Sequence, residues 1–355
     1  MGLLEFYKGK KVFVTGHTGF KGTWLCWWLS LMGAEVTGYA LLPVQGSLFK
    51  LTNLEEEITS HDGNVCDYDK LEKALESSQA EIVFHLAAQP LVIESYNSPI
   101  ETFQSNTTGT IHLLEALRKC TSVKAGVFVT SDKCYENKEQ PRSFREDDPL
   151  GGFDPYSASK AMAELAISAY RKSFFDSKYI ASARAGNVIG GGDFARYRIV
   201  PDLIRSIEEQ SPLTLRNPHS TRPWLHVLDV LYGYLLLGKK LFEEPESAAQ
   251  AFNFAPDRTA DDYTVKAIIE AFKDKLSTEI PKCEFTKPKH HESKYLKLDS
   301  SLANRFLYWS PIFTTAQAIE WTARWYDSYL KKTVNLKKTT IEDIQTYLEI
   351  TNSDS

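Results

Sequence analysis

The run from Lys10 to Gly22, KKVFVTGHTGFKG, constrains this chain more than any other stretch. Val12, Phe13 and Val14 form a short apolar run of the kind that makes a buried strand, and Gly16, Gly19 and Gly22 follow it. Beyond them TWLCWWLSLMG carries Leu25, Trp28, Leu29 and Met32 at separations of three and four, which places them on one helical face. Strand, glycine turn and helix in that order bring unpaired backbone N–H groups and a helix dipole to one point, and glycine lets an anion reach them. Such a run is either a phosphate-binding loop or an ordinary tight connection, and its place between strand and amphipathic helix favours the first. Trp24, Trp27 and Trp28 read as core packing rather than as a base-stacking surface.

With 355 residues and 43% hydrophobic content, the chain can build two packed lobes. Its net charge of -5 comes without any basic tract, so no nucleic-acid surface is expected. Five widely spaced cysteines form neither a disulfide framework nor a zinc knuckle, and the adjacent His290 and His291 have no third ligand, so no metal is expected. The opening MGLLEFYKGK lacks the apolar segment of a signal peptide, and Trp24 to Ala34 is too short to span a bilayer. A reduced cytoplasmic setting with no membrane partner is the expectation.

Strand-like and helix-like runs then alternate. AEVTGYAL, EIVFHLAAQP and AGVFVTSDKCY read as strands, with DYDKLEKALE and NTTGTIHLLEALRKC as helices between them. The pattern predicts an α/β fold, a doubly wound parallel sheet covered on both faces, with a smaller interleaved C-terminal substrate lobe. Residues 1–185 would be mainly the cofactor-binding domain and 186–350 mainly the substrate lobe, with segments near 224–255 returning to the first domain and 351–355 a loose tail. The charged stretch ENKEQPRSFREDDPLGGFDP reads as a surface loop, and TTAQAIEWTARWYDSYL as the last helix. His85, at a strand exit, is either part of the cofactor pocket or a satisfied core histidine.

Two pairs of residues carry chemistry. Tyr156 and Lys160, four apart in YSASK, share a helix face. In a nicotinamide enzyme the lysine charge stabilises phenolate, and the tyrosine can then take an alcohol proton as hydride leaves carbon. Asp132 and Lys133 stand at the carboxyl end of a strand, where the crevice of such a sheet lies. Oxidising an alcohol to a ketone acidifies the neighbouring C–H; a neutral lysine can remove that proton and a protonated aspartic acid can help oxygen leave. Both states are opposite to the reference ones at neutral pH, and a plain surface ion pair is the alternative. At residues 37–41, where a ribose-binding carboxylate commonly sits, there is no Asp or Glu, and no arginine follows either, so NAD and NADP both stay open there.

These runs resemble the extended short-chain dehydrogenase/reductase family, and within it the dehydratases of CDP-sugars. The resemblance rests on VFVTGHTGFKG at 12–22, VTSDKCYEN at 129–137, YSASK at 156–160, RAGNVIGGGD at 184–193, RPWLHVLD at 222–229 and LYWSP at 307–311. It implies a Rossmann-type fold, NAD as cofactor, and conversion of CDP-D-glucose to CDP-4-dehydro-6-deoxy-D-glucose and water, in supply of deoxyhexoses for cell-surface polysaccharide. Tyr156, helped by Lys160 and Ser131, would take the C4 hydroxyl proton; Lys133 would remove H5 and Asp132 would protonate the departing C6 hydroxyl. For the cofactor it implies Gly16, His17, Gly19, Phe20 and Lys21 at the phosphates, Asn64 and Val65 at the adenine, and Ala87 and Ala88 on the nicotinamide side, with Tyr156 and Lys160. Asn187 would lie near the glycosyl phosphate and Arg222 at the pyrophosphate, with Arg196, Arg198 and Arg205 as secondary anion contacts. Related dTDP-sugar dehydratases carry Asp-Glu where this chain has Asp132-Lys133, and Asn64 replaces the usual Asp. The family implies a homodimer through two helices per subunit, with higher association open. A nucleotide-sugar 4-epimerase and a non-catalytic NAD and nucleotide-sugar scaffold are the competing readings.

Overall fold

In a computed structural model of the chain, the residues described are 2–175, 179–218, 220–221, 223–256, 263–286, 295–332 and 334–353. Seven strands form one sheet: β1 Lys11–Thr15, β2 Glu35–Ala40, β3 Thr59–Asp62, β4 Ile82–His85, β5 Ala125–Val129, β6 Tyr179–Ala185 and β7 Ala251–Phe254. Their spatial order is β7-β6-β5-β4-β1-β2-β3 and every neighbouring pair is parallel. The order reverses between β1 and β4, which opens a crevice beyond their carboxyl ends. This is the doubly wound α/β sheet that the alternation predicts.

Side chains along each strand explain why helices cover both faces. On β1, Val12 and Val14 join one buried cluster and Phe13 the other; on β4, Ile82 and Phe84 oppose Val83 in the same way. The first cluster takes helices α1 Phe20–Leu31 and, later in the chain, Val227–Glu243. The second takes α2 Tyr68–Ser78, α3 Gly109–Lys119 and α4 Pro155–Phe174. Trp24, Trp27 and Trp28 are all buried, with the Trp24 indole donating to the Gly191 carbonyl at 2.9 Å and that of Trp27 to Thr52 Oγ1 at 2.9 Å. They pack the core, as their spacing predicts.

The second lobe is stitched from two-stranded parallel pairs: Asn187–Ile189 with Trp224–His226, Leu213–Leu215 with Cys283–Phe285, and Ser143–Phe144 with Lys297–Leu298. The last pair corrects the reading of residues 136–155 as a surface loop. Phe144 is buried and stacks on Tyr135 at 4.9 Å, so one aromatic in a polar run ties that segment down. A further helix, Leu336–Ser353, follows Thr315–Lys331 and runs into the stretch expected to be a tail; residues 354–355 lie outside the described residues. No helix among the described residues is long and apolar enough to cross a membrane.

Candidate active site

The glycine loop joins β1 to α1 at the point where the sheet order reverses. Gly16 takes φ +75°, and a Cβ there would lie 2.7 Å from the Ala87 amide nitrogen; one on Gly22 would lie 2.1 Å from the Gly16 carbonyl oxygen. Gly19 stands at the N-cap of α1, where no side chain caps the helix and the first turn holds no acidic residue. Backbone N–H groups of the first turn are therefore left for an outside acceptor, which fits the pyrophosphate of a dinucleotide. Ala87 and Ala88 follow β4 directly beneath this loop, with the Ala87 N–H donating to Thr15 Oγ1 at 3.2 Å. Asn64 is exposed at the end of β3, its Oδ1 accepting the Cys66 N–H at 2.9 Å, and the neighbouring Val65 packs against Gly109.

Three side chains of the loop point to different places. His17 is fully buried, its Nε2 2.7 Å from Ser60 Oγ and its ring edge-on to Phe49, and burial lowers its pKa to about 4. A neutral imidazole turned into the sheet supports the loop from below. Phe20 lies toward the second glycine run, where a Cβ on Gly190 would meet its ring at 3.1 Å. Lys21 is half-buried within electrostatic reach of Arg198, Lys160, Asp132 and Asp193; burial, with Arg198 and Lys160, lowers its pKa to about 7.

The candidate catalytic corner forms where α4 starts against the end of β5. Asp154 caps α4, its carboxylate accepting the Ser157 N–H at 2.9 Å and the Ser157 hydroxyl at 2.7 Å. The next turn presents Tyr156 and Lys160, both buried, and Lys160 Nζ donates to the Val129 carbonyl at 3.4 Å. Beyond β5 the chain turns through a 3₁₀ turn, Asp132–Cys134. Ser131 is its hub: Oγ donates to Asp132 Oδ1 at 3.0 Å and accepts the Lys133 N–H at 3.2 Å, and its side chain is near enough to Tyr156 to act on the phenol. Ser131 thus stands between the two pairs.

Burial pushes Tyr156 up to about 12, opposed by Ser131 and by the Arg198 charge and assisted by Asp132 and Asp154. Burial lowers Lys160 to about 8, with Glu164 opposing it. The corner therefore holds a neutral phenol and a weakened ammonium, both taken out of water.

The backbone at Gly186 passes over Asp132, since a Cβ there would lie 3.0 Å from Asp132 Oδ2. Asn187 is the next residue, which sets it beside the same turn. Arg198 pairs with buried Asp193 at 2.8 Å and faces Tyr156. Arg196 and Arg205 instead line a cavity of about 380 Å³ with Tyr197, Thr214 and Arg216. Arg205 is fixed there by Asp202 Oδ1 at 2.6 Å and the Phe194 carbonyl at 3.0 Å. Sequence reasoning singled out neither Arg216 nor Tyr197; the clustering of basic residues over 196–216 was the available signal. Arg222, His290 and His291 lie outside the described residues, and no group of three or more metal-binding side chains occurs among the described ones. His85 proves a satisfied core histidine: Nδ1 is 2.7 Å from Thr15 Oγ1 and Nε2 3.1 Å from Thr110 Oγ1.

Residues 12–253 match the model of the NAD dependent epimerase/dehydratase family. The chain is 45% identical over 335 residues to CDP-glucose 4,6-dehydratase of Salmonella typhimurium (strain LT2), covering 92% of this chain and 93% of that one. Among solved structures, MoeE5 in complex with UDP-glucose and NAD superposes with a TM-score of 0.77 at 21% identity, over 90% of this chain and 99% of that one. A dTDP-glucose 4,6-dehydratase from Bacillus anthracis in complex with NAD gives 0.76 at 21%, over 91% and 98%. The two structures speak for the fold, and the sequence matches for kinship: the chain belongs to the NAD dependent epimerase/dehydratase family.

Proposed function

We propose that the protein is a CDP-D-glucose 4,6-dehydratase, converting CDP-D-glucose to CDP-4-dehydro-6-deoxy-D-glucose and water with NAD. The observation that supports this reading is that Tyr156 and Lys160 stand on the helix turn facing the end of β5, where Ser131, Asp132 and Lys133 follow one another, in a chain so similar to a CDP-glucose dehydratase.

The first turn of α1 and the backbone of Ala87 and Ala88 would hold NAD, which would supply the hydride acceptor for C4 and the donor for C6. Tyr156 takes the C4 hydroxyl proton as that C–H bond breaks, with the Lys160 charge and the Ser131 hydroxyl stabilising the phenolate. The C4 carbonyl so formed acidifies H5. Lys133 removes H5, the electron pair shifts toward the carbonyl, and the C5–C6 double bond forms as Asp132 gives a proton to the departing C6 hydroxyl. One proton then returns to C5 as hydride would reach C6; C4 stays a carbonyl, and the proton held by Tyr156 makes good the one Asp132 gave to the departing water, so no net proton or electron is left on the protein. Arg196, Arg205 and Arg216 offer guanidinium forks to the diphosphate, with Asn187 nearer the sugar.

An epimerase needs only the first of these proton transfers, and Asp132–Lys133 would then be idle. Product analysis with CDP-, dTDP-, UDP- and GDP-glucose separates the readings. The 4-keto-6-deoxy product from CDP-glucose without net NADH supports dehydration; C4 inversion alone supports epimerisation; binding without product supports a scaffold.

The same reading includes a homodimer built on two helices per subunit. Met162 and Leu165 on α4 are 46% and 59% exposed, an apolar strip unusual on a solvated helix. Sedimentation at micromolar concentration tests it. Cytoplasmic placement, in keeping with five free thiols, belongs to the proposal as well.

A further inference from the structure

Directly behind the catalytic corner lies a buried ion pair that none of the chemistry above uses. Glu164 stands one helical turn beyond Lys160 on α4, and its carboxylate is fully engaged. Oε1 accepts the Thr130 hydroxyl, while Oε2 accepts the Ser182 hydroxyl at 2.8 Å and Arg184 Nη2 at 2.6 Å. Thr130 is the residue between Val129, whose carbonyl takes the Lys160 amine, and Ser131, the hub of the corner. One turn of α4 thus grips consecutive residues at the end of β5 through a cation and an anion.

Arg184 extends the grip. Its Nη1 donates to the Tyr135 hydroxyl at 2.7 Å and to the Glu146 carbonyl at 3.0 Å, and its guanidinium lies over the Tyr135 ring at 4.9 Å. The Tyr135 hydroxyl donates onward to Asn253 Oδ1 at 2.7 Å, and the Asn253 amide reaches the Phe144 carbonyl at 3.0 Å. Tyr135 directly follows the turn that carries Asp132 and Lys133. Burying two charges this deeply is costly unless each is matched, so a chain gains little stability from such a pair compared with apolar packing. Its value lies in what it holds in place.

We infer that Glu164, with Arg184, is a positioning residue for the reaction: its carboxylate keeps Lys160 in the ammonium form and fixes the strand end presenting Ser131, while Arg184 carries the restraint through Tyr135 to the Asp132–Lys133 turn. This rests on the reading of Lys160 as a catalytic residue. The charged and titratable groups facing Lys160 are Glu164 on its own helix, the Cys134 thiol on the 3₁₀ turn, Lys21 on α1 and His85 on β4. Glu164 is the carboxylate among them. Burial pushes its own carboxyl up, but the Arg184 charge and the three hydrogen bonds overcome this and leave it below the usual range, so it is ionised wherever the enzyme works.

The test is the pH profile of kcat for the NAD-loaded enzyme with CDP-glucose. In Glu164→Gln the basic limb should move to lower pH by about one unit or more, the size expected for losing a nearby opposite charge. Glu164→Asp, which keeps the charge, should restore the limb most of the way. Because Glu164→Gln leaves Arg184 buried and uncompensated, the double variant Glu164→Gln/Arg184→Met removes both charges together and should show the same displacement if the single variant does not fold. A folded neutral variant whose limb stays at the wild-type pH overturns the inference, even if its melting temperature has dropped. Lys160→Met separates the two readings: a limb that persists unmoved without the lysine defeats the assignment of Lys160, whereas a limb that needs Lys160 but ignores Glu164 defeats only the role of Glu164.

Discussion

Lys160 bonds the carbonyl two residues before Ser131 and Lys133 follows two residues after it, and the fold treats them oppositely. Lys160 is 6% exposed, rises from a capped helix, and has its amine fixed on the Val129 carbonyl with a carboxylate one turn away. Lys133 is half-buried on a 3₁₀ turn, and it is its backbone N–H that bonds Ser131; its amine makes no hydrogen bond or ion pair among the described residues. On the proposed reading, the oxidation pair is held in place by the fold itself, whereas the elimination pair is anchored by its backbone and its lysine amine serves the sugar. Preorganisation is spent where charge first develops, and mobility is kept where a proton must leave and return on one carbon.

The bluntest way to break that contrast is Tyr156→Phe. It should lower turnover on CDP-glucose by about 10³-fold or more, at the upper part of the range for general acid–base catalysis, and should abolish formation of the 4-keto sugar in a single-turnover assay. Lys133→Ala should cost less in the first step than in the second. Formation of product is expected to fall about 10²-fold while an oxidised sugar still forms on the enzyme, and solvent deuterium should no longer enter C5. If both variants block oxidation equally, the two pairs do not divide the work.

Acidity gives a graded test. Lys160 is lowered to about 8, so its charge is present below that pH and lost above it, while Tyr156, pushed up to about 12, stays protonated across this range in the protein alone. kcat should therefore fall about tenfold per pH unit above the Lys160 value, and Lys160→Arg, whose guanidinium does not titrate there, should flatten the fall. Smallest in effect, Arg216→Ala at the cavity should raise KM for CDP-glucose about tenfold and leave kcat nearly unchanged, as expected for one charged hydrogen bond to phosphate. An equal loss in kcat would place Arg216 within the corner rather than at the cavity.

The legible parts of this molecule are those with a local period. The strand and helix faces of β1 and α1, the Tyr156–Lys160 spacing and the alternation that predicts a parallel sheet all follow from residues close together in sequence. The last helix escaped because the residues it buries include Thr340, Asp343 and Thr351 alongside Ile344 and Tyr347, which dilutes the apolar repeat. Ser143–Phe144 escaped because a two-residue strand has no period at all. Within the site, Ser131 could be named from its strand end, but the direction of a loop side chain could not. His17 turns into the sheet because Gly38 leaves room for its ring, a Cβ at Gly38 coming 2.3 Å from it, and that contact joins residues far apart in sequence. The Glu164–Arg184–Tyr135 chain was hidden for the same reason, each link joining separate elements.

The account stands on hydride leaving one carbon of the sugar and returning to another within the same closed turnover. CDP-glucose carrying deuterium at C4, incubated with the NAD-loaded enzyme and examined by NMR of the released sugar, tests this directly. Deuterium at C6, transferred within one molecule, with a solvent-derived hydrogen at C5, is the expected result. Deuterium still at C4, on an inverted carbon, or a product with none at C6, contradicts it.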